Sequence, residues 1–562
     1  MIATNLPASP ERPWLDHYPA GVPKSLSIPS IPAWGLLDRT AHRHPNRVAC
    51  QYYHQEVTYA EVAEKARRVA SMLHRFGLKP GERVGLLLPN LPEYVWVLNG
   101  IWMAGGVAVA LSPLMVAEEI DAFLRTTGCR FAVSLDVLAP LIVNGKHKPE
   151  HFFFVTINDR LPAWQKLGYV FARWRRLGKW PTPDHPSQHD LAELVDASDP
   201  NFVPYRSESV EVPAYILPTG GTTVHPKAVT LSHRNLVANA WQIFHWAGAA
   251  EARERMLCVL PFFHSYGLTT CCMTGVAMAA TLVMHHRFIP RVVMKLMEDH
   301  QPTIFPAVPA MLAALNLLLR EKPIQFRGLR YVISGGAPLD RAIADEFSRY
   351  SGAIVVEGYG MSEASPVIST GPLDGTDEPG TIGMPLPETD VRIVNAEDEV
   401  TELPPGEIGE LVVRGPQVML GYWHDDEATR QTIRDGWLHT GDLGTRDANG
   451  VFRIVDRKKD LIITSGFNVY PADVEPVLRK APGVADVAVI GVPDDVAGEI
   501  VKAVIAIKPG TTFDQSAFDT FTELHLAKHK RPKQVVIVEG DLPRNFLGKV
   551  LRRKLKPEVS SK

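Results

Sequence analysis

The stretch RVGLLLPNLPEYVWVLNGIWMAGGVAVALSP, Arg83 to Pro113, decides the fold class. It opens on a short apolar run, RVGLLLP, of strand length. From Tyr94 to Ala117 it carries no charge, which by length alone would allow a membrane span. Gly105-Gly106 and Ser112-Pro113 break that window into a helix-length piece and the run VAVAL. A strand, a helix apolar on all sides and a second apolar strand describe a buried parallel βαβ unit. A second charge-free window, Tyr266 to Met284, divides the same way into TTCCMTGVAMAA and TLVMHH.

Working outward, strand-like runs alternate with helix-like stretches through RFAVSL, MLCVLP, TIFPAVP, YVISGG and AIVVEGYG. This alternation predicts an α/β architecture with parallel sheets. Past GTIGMPLPETDVRIV the texture changes to short alternating strands punctuated by Gly and Pro, as in a small barrel or sheet. From about Leu461 helices and strands alternate again over the length of a small domain.

A chain of 562 residues is too long for one ordinary core. Its formal charge of −3 gives no general attraction to nucleic acid. Five cysteines, odd in number and without CxxC spacing, argue for reduced thiols in a cytoplasmic compartment and against a zinc site. The first residues, MIATNLPASPERPW, have neither the basic nor the apolar region of a signal peptide.

Leu161 to Pro181, LPAWQKLGYVFARWRRLGKWP, stands apart. On a helix Trp164, Leu167, Phe171 and Trp174 fall near one face, with Lys166, Arg173, Arg175, Arg176 and Lys179 among them. Two readings stay open: peripheral contact with the inner face of an anionic membrane, or an insertion that packs its aromatics on its own domain.

Five stretches carry chemistry. YILPTGGTTVHPKAVTLSH (Tyr215 to His233) offers hydroxyls and approachable backbone N–H groups for phosphates. It is not a Walker A loop, because no second glycine precedes Lys227 and no Ser or Thr follows it. Val224 and Ala228 stand where two more glycines would be expected. VEGYGMSEASPV (Val356 to Val367) sets a ring, Tyr359, four residues before a carboxylate, Glu363, suited to a base and to Mg²⁺ beside phosphates. DGWLHTGDLG places Asp442 in a tight turn, DRKKDLIITSGFNVYPADVE supplies Arg457, and LPRNFLGKVLRRKL carries Lys549. Singly, each has an ordinary structural explanation.

Their order and spacing together resemble the acyl-adenylate-forming superfamily, and within it bacterial long-chain fatty acid:CoA ligases, from about Trp34 to Lys554. The resemblance implies a large N-terminal AMP-binding domain, residues 1–456, of two parallel α/β subdomains plus a small β-barrel-like one. It implies a hinge at 457–460 and a small mobile α+β C-terminal domain at 461–562. The reaction implied joins a medium- or long-chain carboxylic acid to AMP from ATP, then to coenzyme A. A ligase that loads a carrier protein, and a CoA ligase for aryl or terpenoid acids, stay open.

By the same resemblance Thr219, Gly220, Gly221, Thr222, Thr223 and Lys227 would strap the β- and γ-phosphates. Glu363, with Thr219, would hold Mg²⁺. Tyr359 and Gly360 would flank adenine, Gly335, Gly336 and Ala337 its wall, and Ser362 would lie near phosphate. Asp442 and Arg457 would hold ribose, and Lys549 would bridge the acid and the α-phosphate. His264 would gate an acyl pocket lined by Val308, Pro309, Gly335, Met361 and Ser365 to Val367. Lys459 would be the hinge. Ser465 and Gly466 would line the path of CoA, the glycine where a ligand passes close to the backbone. A homodimer stays open.

Overall fold

A computed structural model describes residues 11–157, 166–171, 174, 188–218, 227–494, 497–544 and 550–555. The opening stretch folds as its pattern dictates. Strand Arg83–Leu87 leads into helix Pro92–Met103, buried at every position. The chain then turns at Gly105-Gly106 into strand Val107–Ala110, parallel to the first with Val84 opposite Ala108. Burial on all sides requires partners for the helix's polar atoms. The Tyr94 hydroxyl shares a 2.7 Å bond with that of Tyr215 and donates to the Phe262 carbonyl at 3.0 Å, while Trp102 Nε1 donates to the Ala214 carbonyl at 2.8 Å.

These strands belong to an eight-stranded sheet whose core is parallel. At one edge Pro213–Pro218, Ala228–Ser232 and Gly421–Tyr422 run antiparallel. A nine-stranded sheet lies beside it, sharing one apolar core. Its neighbouring parallel strands are Arg255–Cys258, Ile304–Ala307, Tyr331–Ser334 and Ile354–Gly360. The second charge-free window becomes a π-helix, Gly267–Met273, a short helix Thr274–Ala277 and strand Thr281–Met284. Among the described residues no helix is long and apolar enough to cross a membrane.

The Gly- and Pro-punctuated region forms a five-stranded antiparallel sheet containing Asp390–Val394, Gly409–Arg414, Trp437–Arg446 and Phe452–Arg457. A 3-10 turn, Lys458–Asp460, leads on to a last sheet built on the hairpin Val484–Asp494 and Gly498–Ile507. Helices Pro471–Leu478 and Gln515–His525 accompany this sheet, which has apolar clusters of its own.

Candidate active site

Parallel strands expose the carboxyl ends of neighbouring elements along one rim, where ligands of open α/β sheets bind. His264 follows Arg255–Cys258, Val308 follows Ile304–Ala307, and Gly335, Gly336 and Ala337 follow Tyr331–Ser334. Tyr359 and Gly360 end strand Ile354–Gly360, and Met361, Ser362 and Glu363 come directly after. Residues scattered over a hundred positions of sequence are thereby brought to one rim. Gly360 has a strict steric reason to be glycine: a Cβ there would stand 1.9 Å from the Pro366 carbonyl oxygen.

Glu363 sits in a 3-10 turn, buried, and accepts a 2.9 Å bond from the Tyr422 hydroxyl. Burial raises its pKa, opposed by the Tyr422 bond and by the positive charges of Lys227 and Arg457. Lys227 Nζ lies 4.6 Å from the centre of the Tyr422 ring. Tyr422 reaches this place because strand Gly421–Tyr422 pairs with Ala228–Ser232, which begins one residue after Lys227. The sequence reading missed Tyr422. It lies 59 residues from Glu363, and its segment is held there by that strand pairing and by the Met419 N–H, which donates to the Glu363 carbonyl at 2.8 Å.

A second chain of bonds links the expected adenine and ribose residues. The Tyr359 hydroxyl donates to Asp442 Oδ2 at 2.7 Å, and Arg457 Nε lies 3.1 Å from Asp442 Oδ1. Burial first, and the Asp442 charge second, push the Tyr359 phenol well above its usual range, so it stays a donor. Asp442 is not in a turn, as its sequence context predicts. It lies within strand Trp437–Arg446, directly across from Arg457, where cross-strand pairing sets the ion pair.

Ser362 and Ser265 hydroxyls meet at 3.1 Å, tying the turn of Glu363 to the start of the π-helix. His264 accepts from the Tyr266 backbone N–H at 3.2 Å, and desolvation pulls its pKa down to about 4, so it is neutral near pH 7. Tyr266 presses its ring against Gly335, and its hydroxyl donates to the Ile333 carbonyl at 2.9 Å. On its other side Tyr266 lines an apolar cavity of about 50 Å³, bounded also by Ile243, Trp246, Met278, Ile304 and Ile333. Of the acyl-pocket residues expected from sequence, Val367 lines this cavity; His264, Val308, Pro309, Gly335 and Met361 do not. Tyr266, Thr270, Thr274 and Met278, four residues apart, supply one wall of it, a pairing set by how the helix lies on the sheet.

Thr219, Gly220, Gly221, Thr222, Thr223, Val224 and Lys549 lie outside the described residues. Ala228 is accounted for: it is buried in an ordinary strand opposite Pro218, a position that makes no demand for glycine. On either side of the Lys549 segment, Arg544 and Val550 pair as a β-bridge. Arg552 donates to Glu475 at 2.8 Å and to Asp460 at 3.2 Å. Lys459 is exposed within the 3-10 turn, and its neighbour Lys458 donates to Glu410 at 3.0 Å. Ser465 and Gly466 form the exposed tip of hairpin Ile462–Thr464 and Phe467–Val469, with φ of 49° and 81°. No other atom approaches within 4 Å of where a Gly466 Cβ would lie, so this glycine answers to the turn and not to a close approach.

Among the described residues no cluster of three metal-ligating side chains occurs. A magnesium ion needs less, since it is bound through one or two carboxylates and substrate phosphates. A single buried carboxylate, bonded by Tyr422 and near the positive charges of Lys227 and Arg457, fits that pattern.

The AMP-binding enzyme family matches residues 37–423, and the AMP-binding enzyme C-terminal domain matches 473–549. The chain is 34% identical over 553 residues to a long-chain-fatty-acid–CoA ligase of Bacillus subtilis, covering 98% of both chains. It is 35% identical to a feruloyl-CoA synthase of Amycolatopsis sp, over 92% of this chain and 96% of that one. The structure of ATP-bound MatB from Rhodopseudomonas palustris superposes with a TM-score of 0.80 at 30% identity, over 93% of this chain and 98% of that one. With its carboxylate and its ring on one rim, the ion pair bonded to that ring, and both family regions present in order, this chain belongs to the AMP-binding enzymes.

Proposed function

We propose that this protein is an acid–thiol ligase that activates a medium- or long-chain fatty acid with ATP, giving an acyl-adenylate and pyrophosphate, and then forms the thioester with coenzyme A. A carboxylate is a poor electrophile. Attack of its oxygen on the α-phosphorus, with departure of pyrophosphate, converts it into a mixed anhydride with AMP as leaving group. The CoA thiol then attacks the acyl carbon, releasing AMP.

Negative charge gathers on oxygens around the α-phosphorus, so positioned cations and N–H donors carry this catalysis. Lys227 and the 219–223 loop before it are the phosphate-holding groups in this reading, and Glu363 is the residue that would hold Mg²⁺. Magnesium would supply charge neutralisation on the phosphates. Tyr359 and Gly335 to Ala337 flank adenine, Asp442 and Arg457 take the ribose hydroxyls, and Lys549 bridges the acid and the α-phosphate. The 457–460 segment is the hinge between a 1–456 domain and a 461–562 domain. The exposed Ser465-Gly466 tip is the part that meets CoA after the swing.

The acyl assignment rests on one observation: the cavity behind Tyr266 presents only apolar surface. A ring bearing hydroxyls would leave its polar groups unpaired there. At about 50 Å³ the cavity has room for a few water-sized groups, at roughly 10–15 Å³ for each. A long chain therefore enters only as the wall yields.

Pyrophosphate release is the direct test, across acids from acetate to oleate with benzoates and cinnamates included. Thioester formation then follows, with CoA set against a phosphopantetheinyl carrier protein. Turnover rising with aliphatic length, and thioester with CoA, is the expected result. Turnover confined to aromatic acids, or transfer to the carrier alone, would overturn the acyl or the acceptor assignment respectively.

A further inference from the structure

On the reading of a two-step ligase with a hinge at 457–460, we infer that Asp456 is a positioning residue. It caps the first helix of the C-terminal domain from across the hinge, and so latches that domain in the orientation that precedes thioester formation. Helix Pro471–Leu478 starts after Tyr470, which makes no side-chain capping bond to it. The first N–H groups of a helix have no partner within it, and they favour a nearby negative charge. Here the partner comes from the other domain: Asp456 Oδ2 accepts from the Ala472 N–H at 2.8 Å.

Both ends of this bond are anchored. Asp456 is 6% exposed and lies in strand Phe452–Arg457, opposite Leu443. Its other oxygen accepts from the Arg457 N–H at 2.7 Å, so the same carboxylate also holds the backbone of a proposed ribose residue. On the far side, Val474 and Leu478 are buried in an apolar cluster of the C-terminal domain, and Glu475 accepts from the Val489 N–H at 2.9 Å. The helix therefore moves only with its domain. Burial disfavours the Asp456 carboxylate; its two N–H bonds and the nearby positive charge of Arg552 favour it. Arg552 is itself fixed by Glu475 and Asp460.

A hydrogen bond weakens steeply as its length and angle leave the favoured range. Asp456 precedes the Lys458–Asp460 turn and Ala472 follows it, so a swing of one domain about that turn parts the two. The Ser465-Gly466 tip stands exposed in this arrangement, so the bond belongs to the state before the tip meets CoA. Its strength then weighs one orientation against the other.

Single-turnover rates of the two half-reactions test this: adenylate formation from hexadecanoate and ATP, and thioester formation from the isolated acyl-adenylate and CoA. Asp456→Ala should raise the ratio of the second rate to the first about ten-fold, through loss of one bond to a charged group. Asp456→Asn, whose side-chain carbonyl still accepts, should restore much of the parent ratio. Both rates falling together, an unchanged ratio, or Asn behaving as Ala would overturn the inference. A readout without substrate comes from spin labels at Glu407→Cys and Lys508→Cys, exposed positions of the two domains in a chain whose five cysteines are all buried. Asp456→Ala should add a second population to the distance distribution; a distribution identical to the parent's would also overturn the latch. A parent that releases no pyrophosphate with any acid, while its distances respond to Asp456→Ala, would overturn the ligase reading and leave the interdomain latch standing.

Discussion

The hydroxyl of Tyr359 donates to Asp442 Oδ2 at 2.7 Å, joining the end of a strand in the nine-stranded parallel-cored sheet to a strand of the antiparallel sheet 83 residues further on. The other oxygen of Asp442 faces Arg457. The proposed adenine and ribose contacts are therefore one bonded unit, and disturbing one member displaces the next.

Tyr359→Phe removes a hydrogen bond to a charged group, worth roughly 1.5–3 kcal/mol. It should raise the KM for ATP about ten-fold and leave the turnover number at saturating ATP little changed. Steady-state kinetics with ATP varied checks this. A fall in turnover with KM unchanged would mean that the unit does not hold nucleotide.

Among the described residues Tyr422 is the one side-chain donor to Glu363, whose pKa burial already raises, and Tyr422→Phe removes it. The carboxylate form loses support, so its pKa rises further. The acidic limb of the pH profile for pyrophosphate release should move to higher pH, by about one unit for a loss of roughly 1.4 kcal/mol. An unmoved limb would separate Glu363 from the chemistry.

Glu357 gives a stability prediction. Burial pushes its carboxyl up to about 8, with the nearby Asp377 charge adding to the shift. Here the folded form binds the proton more tightly than the unfolded chain does. The contribution is complete below the unfolded value near 4.5 and is lost as pH rises through about 8. Glu357→Gln should therefore reduce the loss of stability between pH 5 and pH 8.5 by roughly 2–5 kcal/mol, at about 1.4 kcal/mol per unit. Unfolding midpoints of parent and variant at both pH values check it; parallel profiles would refute it.

Ile243→Trp fills the cavity behind Tyr266 from the helix His233–Trp246. Discrimination in apolar pockets runs at roughly 1–3 kcal/mol per misfitted methylene. We expect kcat/KM for hexadecanoate to drop about ten-fold or more while butyrate is spared. An equal loss for both acids would place the acyl chain elsewhere.

Much of the candidate site was legible along the chain because its residues cluster next to strand ends: Gly335 to Ala337 after YVIS, Tyr359 to Glu363 after AIVV. The local pattern of apolar runs and glycines marks such ends. Tyr422 was not legible, since its closeness to Glu363 and Lys227 comes from an antiparallel edge pairing between segments almost two hundred residues apart. The strand setting of Asp442 was hidden for a related reason. Gly441 beside it reads as a turn, yet the chain continues through it into Leu443 and Gly444, paired with Asp456 and Ile454.

The amino-acid order alone determined the alternation of buried strands and helices, because a parallel strand covered on both faces must be apolar throughout, and a helix inside a core must be apolar all round. It also supplied the residue types to which the proposed function gives phosphate, base and ribose. Only the tertiary structure decided which side chains wall the apolar cavity behind Tyr266, and that Leu167, Phe171 and Trp174 face outward instead of packing inward. Periodicity sets which residues share a face; what that face meets depends on the packing of distant elements, whose free energies no local pattern contains.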